Sequence, residues 1–357
     1  MEPITDEIAR IIDEQRNAIS EAIVSRQYEL QPETWKPYGE KGRQLSLRDS
    51  NHHLSYLVAA LNESDISLFA DYVVWVKQLF DGIRIPPEAL PTMLELADEI
   101  LRERLSPEMA SITGEYIIAA NKQIQHEVGT QSSFITHDAP LHDMAKQYLE
   151  SLLNGDRRLA TILIMEAVDK GESIKDIYLY VFQRSQYEIG RLWHSNRVSV
   201  AQEHYCSAAT QLIMSQLYSR IFSNEKIGRT LVAACVGGEL HEIGVRMVAD
   251  FFEMEGWDTY YMGANTPASS IIEAIDKRHA DVVGISSSTP LHRSALKDLI
   301  SSIREFDPNK KVKILVGGYT LRTSPELWKR LGADGFAEDA QQAIALANRI
   351  VAEKSLS

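Results

Sequence analysis

The chain has 357 residues, of which 44% are hydrophobic and 24% are charged, and its formal net charge is −13. At about 150 residues per domain this length predicts two or three folded domains, and the composition excludes wholesale disorder. The acidic balance argues against direct nucleic-acid binding. The two cysteines, Cys206 and Cys235, exclude a disulfide scaffold, and neither a secretory signal nor an apolar run of about 20 residues is visible. We therefore expect a cytoplasmic protein without membrane contact.

Residues 1–130 are expected to form a helical domain whose role the sequence does not define. Apolar residues recur there at helical spacing, first from Ile4 onward and then in three further segments. Those segments are Ile66–Phe80, Pro87–Arg104 and Pro107–Gln125. The stretch from Leu30 to Leu54 holds two prolines and two glycines among polar residues, which predicts an extended loop. The adjacent His52 and His53 point to different faces of any regular element, so we expect surface or core polar residues rather than a shared metal or a heme.

A small, polar stretch from Gly129 to Ala139 predicts a linker, and residues 140–224 are predicted to form a four-helix bundle. Its helices are expected at Leu141–Leu153, Arg157–Lys170, Ser173–His194 and Ser199–Phe222. The breaks between them contain glycine, asparagine or serine, and four helices joined by short breaks suit a small antiparallel bundle.

From residue 228 to residue 357, short apolar runs alternate with helical segments, which predicts an α/β domain. Strands are expected at Thr230–Val236, Asp258–Met262, Asp281–Ser286, Val312–Val316 and Gly335–Ala337. Repeated βα units of this length specify a doubly wound, parallel five-stranded sheet of the flavodoxin-like or Rossmann-like kind. Such a sheet binds ligands just outside the carboxyl ends of its strands, so the residues that follow each strand are the candidates for a binding site.

Three of these strand ends carry groups that suit a ligand. The first strand is followed by Glu239-Leu240-His241-Glu242-Ile243-Gly244, the third by hydroxyls from Ser286 to Thr289, and the fourth by Gly317-Gly318. An imidazole can ligate a metal, a nearby carboxylate can accept its other ring N–H, and two glycines let a bulky group approach the backbone. Each feature alone is ordinary, since loop histidines and serine-rich turns usually have structural roles.

In combination these loops resemble the signature of cobalamin-binding domains, DxHxxG…SxL…GG. The residues at the positions of this signature are Glu239, His241, Gly244, Ser286, Ser288, Gly317 and Gly318. The resemblance implies that His241 becomes the lower axial ligand of cobalt and displaces the dimethylbenzimidazole base of the cofactor. That base then enters a channel past the serine and glycine loops. Two residues depart from the signature, because Glu239 stands where Asp is usual and Ser288 where Leu is usual.

The predicted bundle carries a second pattern, Trp-x9-Glu-His, formed by Trp193 and the pair Glu203-His204. By itself it is more often a core aromatic with an exposed polar pair. Next to a cobalamin-binding domain, however, it resembles the cap of cobalamin-dependent photoreceptors of the CarH type. That resemblance implies adenosylcobalamin, with Trp193 over the adenosyl group and Glu203 and His204 near its sugar. It also implies that His194 could ligate cobalt once the adenosyl group has left.

These resemblances predict a non-enzymatic adenosylcobalamin-binding sensor or regulator, and in particular a photoreceptor. We expect it to act in light sensing, signal transduction and transcription regulation through a protein partner or a homo-oligomer, since no DNA-binding module is recognisable. The alternative is a corrinoid methyl carrier of a methyltransferase system, which also pairs a helical bundle with this domain. A carrier needs an accessible upper face on the cofactor, whereas Trp193 suits a stationary cap.

Overall fold

The computed structural model describes residues 4–126, 132–222, 225–322 and 326–354. Within these ranges, residue contacts divide the chain into two compact units. The first unit holds the N-terminal helices together with His194–Arg197, and the second holds Ser132–Trp193 and the chain from Val198 onward. Residues 129–131 of the predicted linker, and residues 223–224 at the end of the predicted bundle, lie outside the described residues.

In the described part of the chain, the first unit is built from α-helices whose apolar faces meet in one core. The helices are α1 (Ile4–Leu30), α2 (Pro32–Trp35), α3 (Gly39–Asn62), α4 (Ile66–Gly82), α5 (Ala89–Arg104) and α6 (Pro107–Ile124). Asp65 and Ser106 begin α4 and α6, because each side chain accepts a backbone N–H of the first turn. The wholly buried Ile8, Leu57 and Ile100 lie in the shared core.

The prediction of an extended loop from Leu30 to Leu54 is wrong. That stretch forms α2, a 3-10 turn at Lys36–Tyr38 and the beginning of α3. Both of its prolines occupy the first turn of a short helix, where the missing N–H is tolerated. Leu54, Leu57 and Leu61 are buried on one face of α3, so packing against α1 stabilises a helix that the local composition disfavours.

Apart from His194–Arg197, the described residues of the predicted bundle lie in the second unit. Its helices are α7 (His142–Leu153), α8 (Arg157–Asp169), α9 (Ile174–Asp176), α10 (Gln183–His194), α11 (Val200–Gln216) and α12 (Tyr218–Ile221). A π-helical segment, Ile177–Phe182, joins α9 to α10 without a break, so these pieces together fill the single helix predicted there. Ser199 and Gln202 form a capping box that begins α11.

The strands of the second unit form one parallel sheet in the order β2-β1-β3-β4-β5, which confirms the predicted doubly wound fold. The strands are β1 (Thr230–Cys235), β2 (Asp258–Gly263), β3 (Val282–Ser286), β4 (Lys313–Gly317) and β5 (Gly335–Phe336). The helices of this part are α13 (Ile243–Met254), α14 (Ala268–Arg278), α15 (Arg293–Phe306), α16 (Tyr319–Arg322), α17 (Leu327–Arg330) and α18 (Ala340–Lys354). Strand order reverses between β1 and β3, where Cys235 lies opposite Ser286.

Apolar cores cover both faces of the sheet. One core contains Ala233 and joins the sheet to α13, α18 and the bundle, whereas the other contains Val232 and joins the sheet to α14 and α15. Neighbouring residues of a strand point to opposite faces, and both faces of β1 are buried. In the loop after β1, Leu240 and His241 are exposed. Among the described residues, no helix has the length and apolar character that a membrane crossing requires.

Candidate functional site

The loop after β1 presents one imidazole at the carboxyl edge of the sheet. The side chain of His241 is 70% exposed, and its Nδ1 lies 2.5 Å from Oε1 of Glu239, whose side chain is fully buried. The backbone N–H of His241 donates to the same oxygen at 3.0 Å. Glu239 thus fixes both the main chain and the ring of the residue two positions further on.

The second carboxylate oxygen of Glu239 is bound by the loop after β3. Backbone N–H groups of Ser288 and Thr289 donate to Oε2 at 2.6 and 3.1 Å, and Nδ1 of His292 lies 3.3 Å away. Burial alone would raise the pKa of Glu239, but the hydrogen bonds from His241, His292 and the backbone hold it well below its usual range. Glu239 is therefore an ionised, fully enclosed acceptor.

An ionised carboxylate can only accept, so Nδ1 of His241 carries the hydrogen in this pair. In the neutral ring this tautomer leaves the lone pair on Nε2, in a side chain that is largely exposed. The bond to Glu239 raises the pKa of His241 against the opposing effect of burial, and the charges of Glu239 and Glu203 act in the same direction. The arrangement gives Nε2 a basic, oriented electron pair that can occupy a single coordination position of a metal.

No cluster of three or more His, Cys, Asp or Glu side chains in the described ranges is arranged to hold a metal ion by itself. A metal at His241 must therefore bring the rest of its coordination sphere with it. A cobalt ion already held by a macrocycle satisfies that condition, because it needs one axial nitrogen from the protein.

The serine and glycine loops meet beside this histidine. Ser286 at the end of β3 pairs with Gly317 at the end of β4, and the N–H of Ser287 donates to Gly317 O at 3.0 Å. Gly318 has a φ of +109°, and a Cβ there would lie 2.2 Å from the carbonyl oxygen of Ser287. Only glycine allows the two main chains to approach this closely.

Two observations at this edge fit a bulky cofactor. A Cβ added to Gly244, one turn beyond His241, would meet no atom within 4 Å, so that side of α13 faces open space. The Oγ atom of Ser287 is buried and has no hydrogen-bond partner in the described part of the chain. A buried hydroxyl without a partner is destabilising, and a polar group of a ligand would remove that penalty.

Sequence reasoning missed three side chains of this site. His292 contacts Glu239, the Asn265 side chain accepts the N–H of Gly238 at 2.7 Å, and Glu242 accepts hydrogen bonds from three segments. Each partner lies about 20 to 50 positions away in sequence, so no local motif could reveal it. The one available signal was position, since all three follow strands whose carboxyl ends share this edge.

Helix α11 of the bundle carries part of the predicted upper cap. Glu203 accepts a hydrogen bond from Ser207 Oγ at 3.0 Å and is paired with the Nδ1 of the exposed His204. Trp193, near the end of α10, is half-buried. Nε2 of Gln211 on the same helix donates to Oε1 of Glu242 at 3.2 Å, so α11 and the histidine loop lie close together within the second unit.

His194 has its contacts in the first unit, to which it is assigned. Its ring stacks on Trp75 with centroids 4.8 Å apart, and its Nε2–H donates to the carbonyl oxygen of Trp75 at 2.8 Å. Burial lowers the pKa of His194, although the bond to Trp75 opposes this. In the structure described, the ring of His194 is thus held by an aromatic and a backbone partner.

Residues 229–345 match the family model described as the B12 binding domain, and residues 144–218 match a second model with the same description. This is a cobalamin-binding protein. The two matches cover the α/β part and the bundle, so both segments of the second unit resemble parts of known cobalamin modules.

Two relatives and one solved structure are similar to this cobalamin-binding protein. A corrinoid protein of Desulfitobacterium hafniense is 24% identical over 57% of this chain and 94% of its own length. The dimethylamine corrinoid protein of Methanosarcina barkeri is 30% identical over 36% of this chain, and the match spans only 60% of that relative. The structure of the Methanosarcina barkeri monomethylamine corrinoid protein shares the fold, with a TM-score of 0.54 at 20% identity over 59% of this chain and 99% of its own.

These relatives correct the expected function. The two relatives are named as corrinoid proteins, one of them for a methylated amine, so the prediction of a photoreceptor, a light sensor or a transcription regulator is wrong. That prediction depended on the short Trp-x9-Glu-His pattern, which fixes three residues in a bundle and says little about the whole protein. The relatives are named as corrinoid proteins and not as enzymes, which agrees with the expectation that the chain is not itself an enzyme.

Proposed function

We propose that this cobalamin-binding protein is a corrinoid methyl carrier that works with a separate methyltransferase. Bound corrinoid cobalt supplies the chemistry, because it can accept a methyl group from one substrate and give it to another. The observation that carries the proposal is the exposed imidazole of His241, oriented by the fully buried carboxylate of Glu239 at the carboxyl edge of the sheet. The names of relatives that pair a corrinoid with a methylated amine support it.

In this proposal Nε2 of His241 would hold the cobalt of the cofactor, and Glu239 is the residue that orients the imidazole. The longer side chain of Glu, compared with the Asp of the signature, still reaches Nδ1 at 2.5 Å. The carboxylate of Glu239 makes Nε2 a stronger ligand. A metal ion and a proton compete for Nε2, so ligation also depends on pH.

The loops after β3 and β4 would hold the displaced base of the cofactor. Ser286 and Gly317 end the adjacent strands, and Gly318 keeps their loops close together. Ser288 stands where the signature has Leu, and its backbone N–H is already bound to Glu239 at 2.6 Å. The unpartnered Oγ of Ser287 is the polar group that we expect to contact the cofactor in this region.

The bundle would cover the upper face of the corrin. Trp193, Glu203 and His204 are the residues of the bundle that we place on that side. A carrier must expose this face to the protein that gives or receives the methyl group. The partner in this proposal is therefore a methyltransferase rather than a nucleic acid. The proposal also places the protein in a reducing cytoplasm, consistent with Cys206 and Cys235, which are unpaired and buried.

The ligand assignment is tested by electron paramagnetic resonance of the protein loaded with cobalamin and reduced to cobalt(II). A single axial nitrogen splits each cobalt line, and replacing natural histidine by uniformly 15N-labelled histidine changes this splitting from three lines to two. We expect the change in the labelled protein and not in the His241→Ala variant. Retention of the three-line pattern after labelling would mean that the cofactor keeps its own base and that the assignment is wrong.

The carrier role is tested by comparing two upper ligands. A methyl carrier should bind methylcobalamin at least as tightly as adenosylcobalamin, and Trp193→Ala should change the ratio of the two dissociation constants by less than about threefold. A strong preference for adenosylcobalamin that disappears in Trp193→Ala would contradict the carrier role. Leu212→Ala, which alters an exposed side chain of α11 that has no role in this proposal, serves as the control substitution.

A further inference from the structure

Glu242, the residue after His241, is a meeting point for three separate segments. Its Oε2 accepts the hydroxyl hydrogen of Tyr261 in β2 and the N–H of Ala264 after β2, both at 3.0 Å. Its Oε1 accepts from Nε2 of Gln211 in α11 at 3.2 Å. One carboxylate therefore joins the histidine loop to the sheet, to a neighbouring loop and to the bundle.

The local backbone is arranged to admit this carboxylate. Gly263 has a φ of +79°, and a Cβ there would lie 3.0 Å from Oε2 of Glu242. A side chain at this position would therefore be strained and would also crowd the carboxylate. The close approach depends on a glycine at the end of β2.

The same neighbouring loop also binds the other end of the histidine arm, a name that we give to residues 238–242. The N–H of Gly238 donates to Asn265 Oδ1 at 2.7 Å, and the N–H of Asn265 donates to the carbonyl oxygen of Glu239 at 2.8 Å. The arm is thus bound at both ends, and Glu242 supplies the connection on the side of His241.

Gln211 connects this arm to a particular face of α11. Glu203, Ser207 and Gln211 follow at four-residue steps and so lie on one face of that helix. One turn further along α13, Arg246 donates to Gln211 O at 3.1 Å and to Ser215 Oγ at 2.8 Å. The two helices are therefore joined by polar contacts at two successive turns, and the first of these lies beside His241.

We infer that Glu242 is a positioning residue that links the orientation of the His241 imidazole to the position of α11. The inference rests on the proposed function for its relevance, since α11 carries the residues that we place above the corrin. A shift of α11 would be transmitted through Gln211 and Glu242 to the arm that holds the lower ligand. The histidine below the corrin and the bundle residues above it would then change position together.

The test compares four variants with the unaltered full chain. Glu242→Ala removes all three contacts, Glu242→Gln keeps the length and one acceptor oxygen, and Gln211→Leu removes only the contact with the bundle. Glu273→Ala is the control, because Glu273 is an exposed carboxylate on α14 whose hydrogen bond is to Lys277. Thermal unfolding of each variant identifies any general loss of stability.

The first measurement is amide hydrogen exchange in the histidine arm without cofactor. We expect exchange to rise by about tenfold or more in Glu242→Ala, a factor that corresponds to about 1.4 kcal/mol. Gln211→Leu should show a smaller rise in the same residues, and Glu242→Gln should restore part of the protection. Exchange in Glu242→Ala equal to that of the Glu273→Ala control would overturn the inference.

The second measurement is the fraction of cobalt(II) cobalamin that carries a histidine nitrogen in 15N-histidine-labelled protein. We expect a lower fraction in Glu242→Ala, an intermediate one in Gln211→Leu, and partial rescue in Glu242→Gln. A purely structural residue would lower the unfolding temperature and leave this fraction unchanged, and that result contradicts a positioning role. If the unaltered chain itself shows no histidine nitrogen, the proposed function fails, while the exchange experiment still decides whether Glu242 holds the arm.

Discussion

Two histidines, one in each unit, show how a partner decides what an imidazole can do. His53 in the first unit lies among apolar side chains, and Nδ1 is 2.6 Å from the hydroxyl of Tyr72. Burial lowers the pKa of His53 to about 3, so the ring is neutral and shares one hydrogen bond with the tyrosine hydroxyl. His241 has a buried carboxylate instead, and its pKa is raised. The first ring is half-buried against the helical core, whereas the second is exposed and offers a basic electron pair.

The largest expected difference between the two histidines is in cofactor binding. We expect His241→Ala to weaken hydroxocobalamin binding by at least about a hundredfold, more than the typical loss of a group behind a ligand. His53→Leu should leave the dissociation constant within about twofold. Absorbance titration measures both dissociation constants, and equal losses in the two variants would show that His241 does not ligate the cofactor.

The carboxylate behind His241 should have the next largest effect. Glu239→Gln removes the charge. It also places an amide NH2 group either near the donating N–H groups of Ser288 and Thr289 or near the ring of His241. We expect binding to weaken by about 10- to 100-fold, because the orienting partner of a ligand is lost while the ligand remains. Glu273→Gln is the matched control, and unchanged affinity in Glu239→Gln would show that His241 does not need its carboxylate.

The half-buried His53 should matter for stability alone. His53→Leu leaves the hydroxyl of the buried Tyr72 without its hydrogen-bond partner, which we expect to lower the free energy of unfolding by about 1–3 kcal/mol. The double variant with Tyr72→Phe removes both partners and should recover part of this loss. Denaturant unfolding measures both changes, and a double variant as unstable as the sum of the single ones would contradict the pairing.

A buried acid in the second unit extends the comparison to pH. Burial raises the pKa of Asp250 to about 6 from its ordinary 3.8, although Tyr178 donates to it at 2.7 Å. The folded state therefore binds the proton more tightly than the unfolded state, and stability falls as pH rises from about 4 through 6. Asp250→Asn removes this titration, so its advantage over the unaltered chain should grow by about 1–3 kcal/mol between pH 4 and pH 7.5. An advantage independent of pH in thermal unfolding would show that Asp250 is ionised throughout.

Much of the fold follows from local pattern. All five strands lie within about one residue of their predicted ends, because apolar runs bounded by turn residues leave few alternatives. Helix α3 was not predicted, because two prolines precede it and two glycines lie at its beginning, a composition that indicates a loop. The packing that stabilises this helix comes from α1. Local sequence does not contain that partner.

The residues of the candidate site also fall into two groups, those that the local sequence identifies and those that it does not. Residues at strand ends, such as His241 and Gly318, could be located from the strands themselves. His292, Asn265 and Glu242 also follow strands, but their roles could not be inferred, because those roles come from hydrogen bonds to residues distant in the chain. The expected function failed where it relied on three bundle residues without the contacts that would give them a role.

The close approach of Gly318 to the carbonyl of Ser287 has a consequence for engineering. No L-residue with a side chain fits there, so that position offers no route to a protein that accepts corrinoids with altered lower bases. Libraries aimed at such selectivity should instead vary Tyr319, which is 62% exposed, and Ser287, whose hydroxyl is already buried. The rigid contact then serves as the fixed frame against which the neighbouring side chains are redesigned.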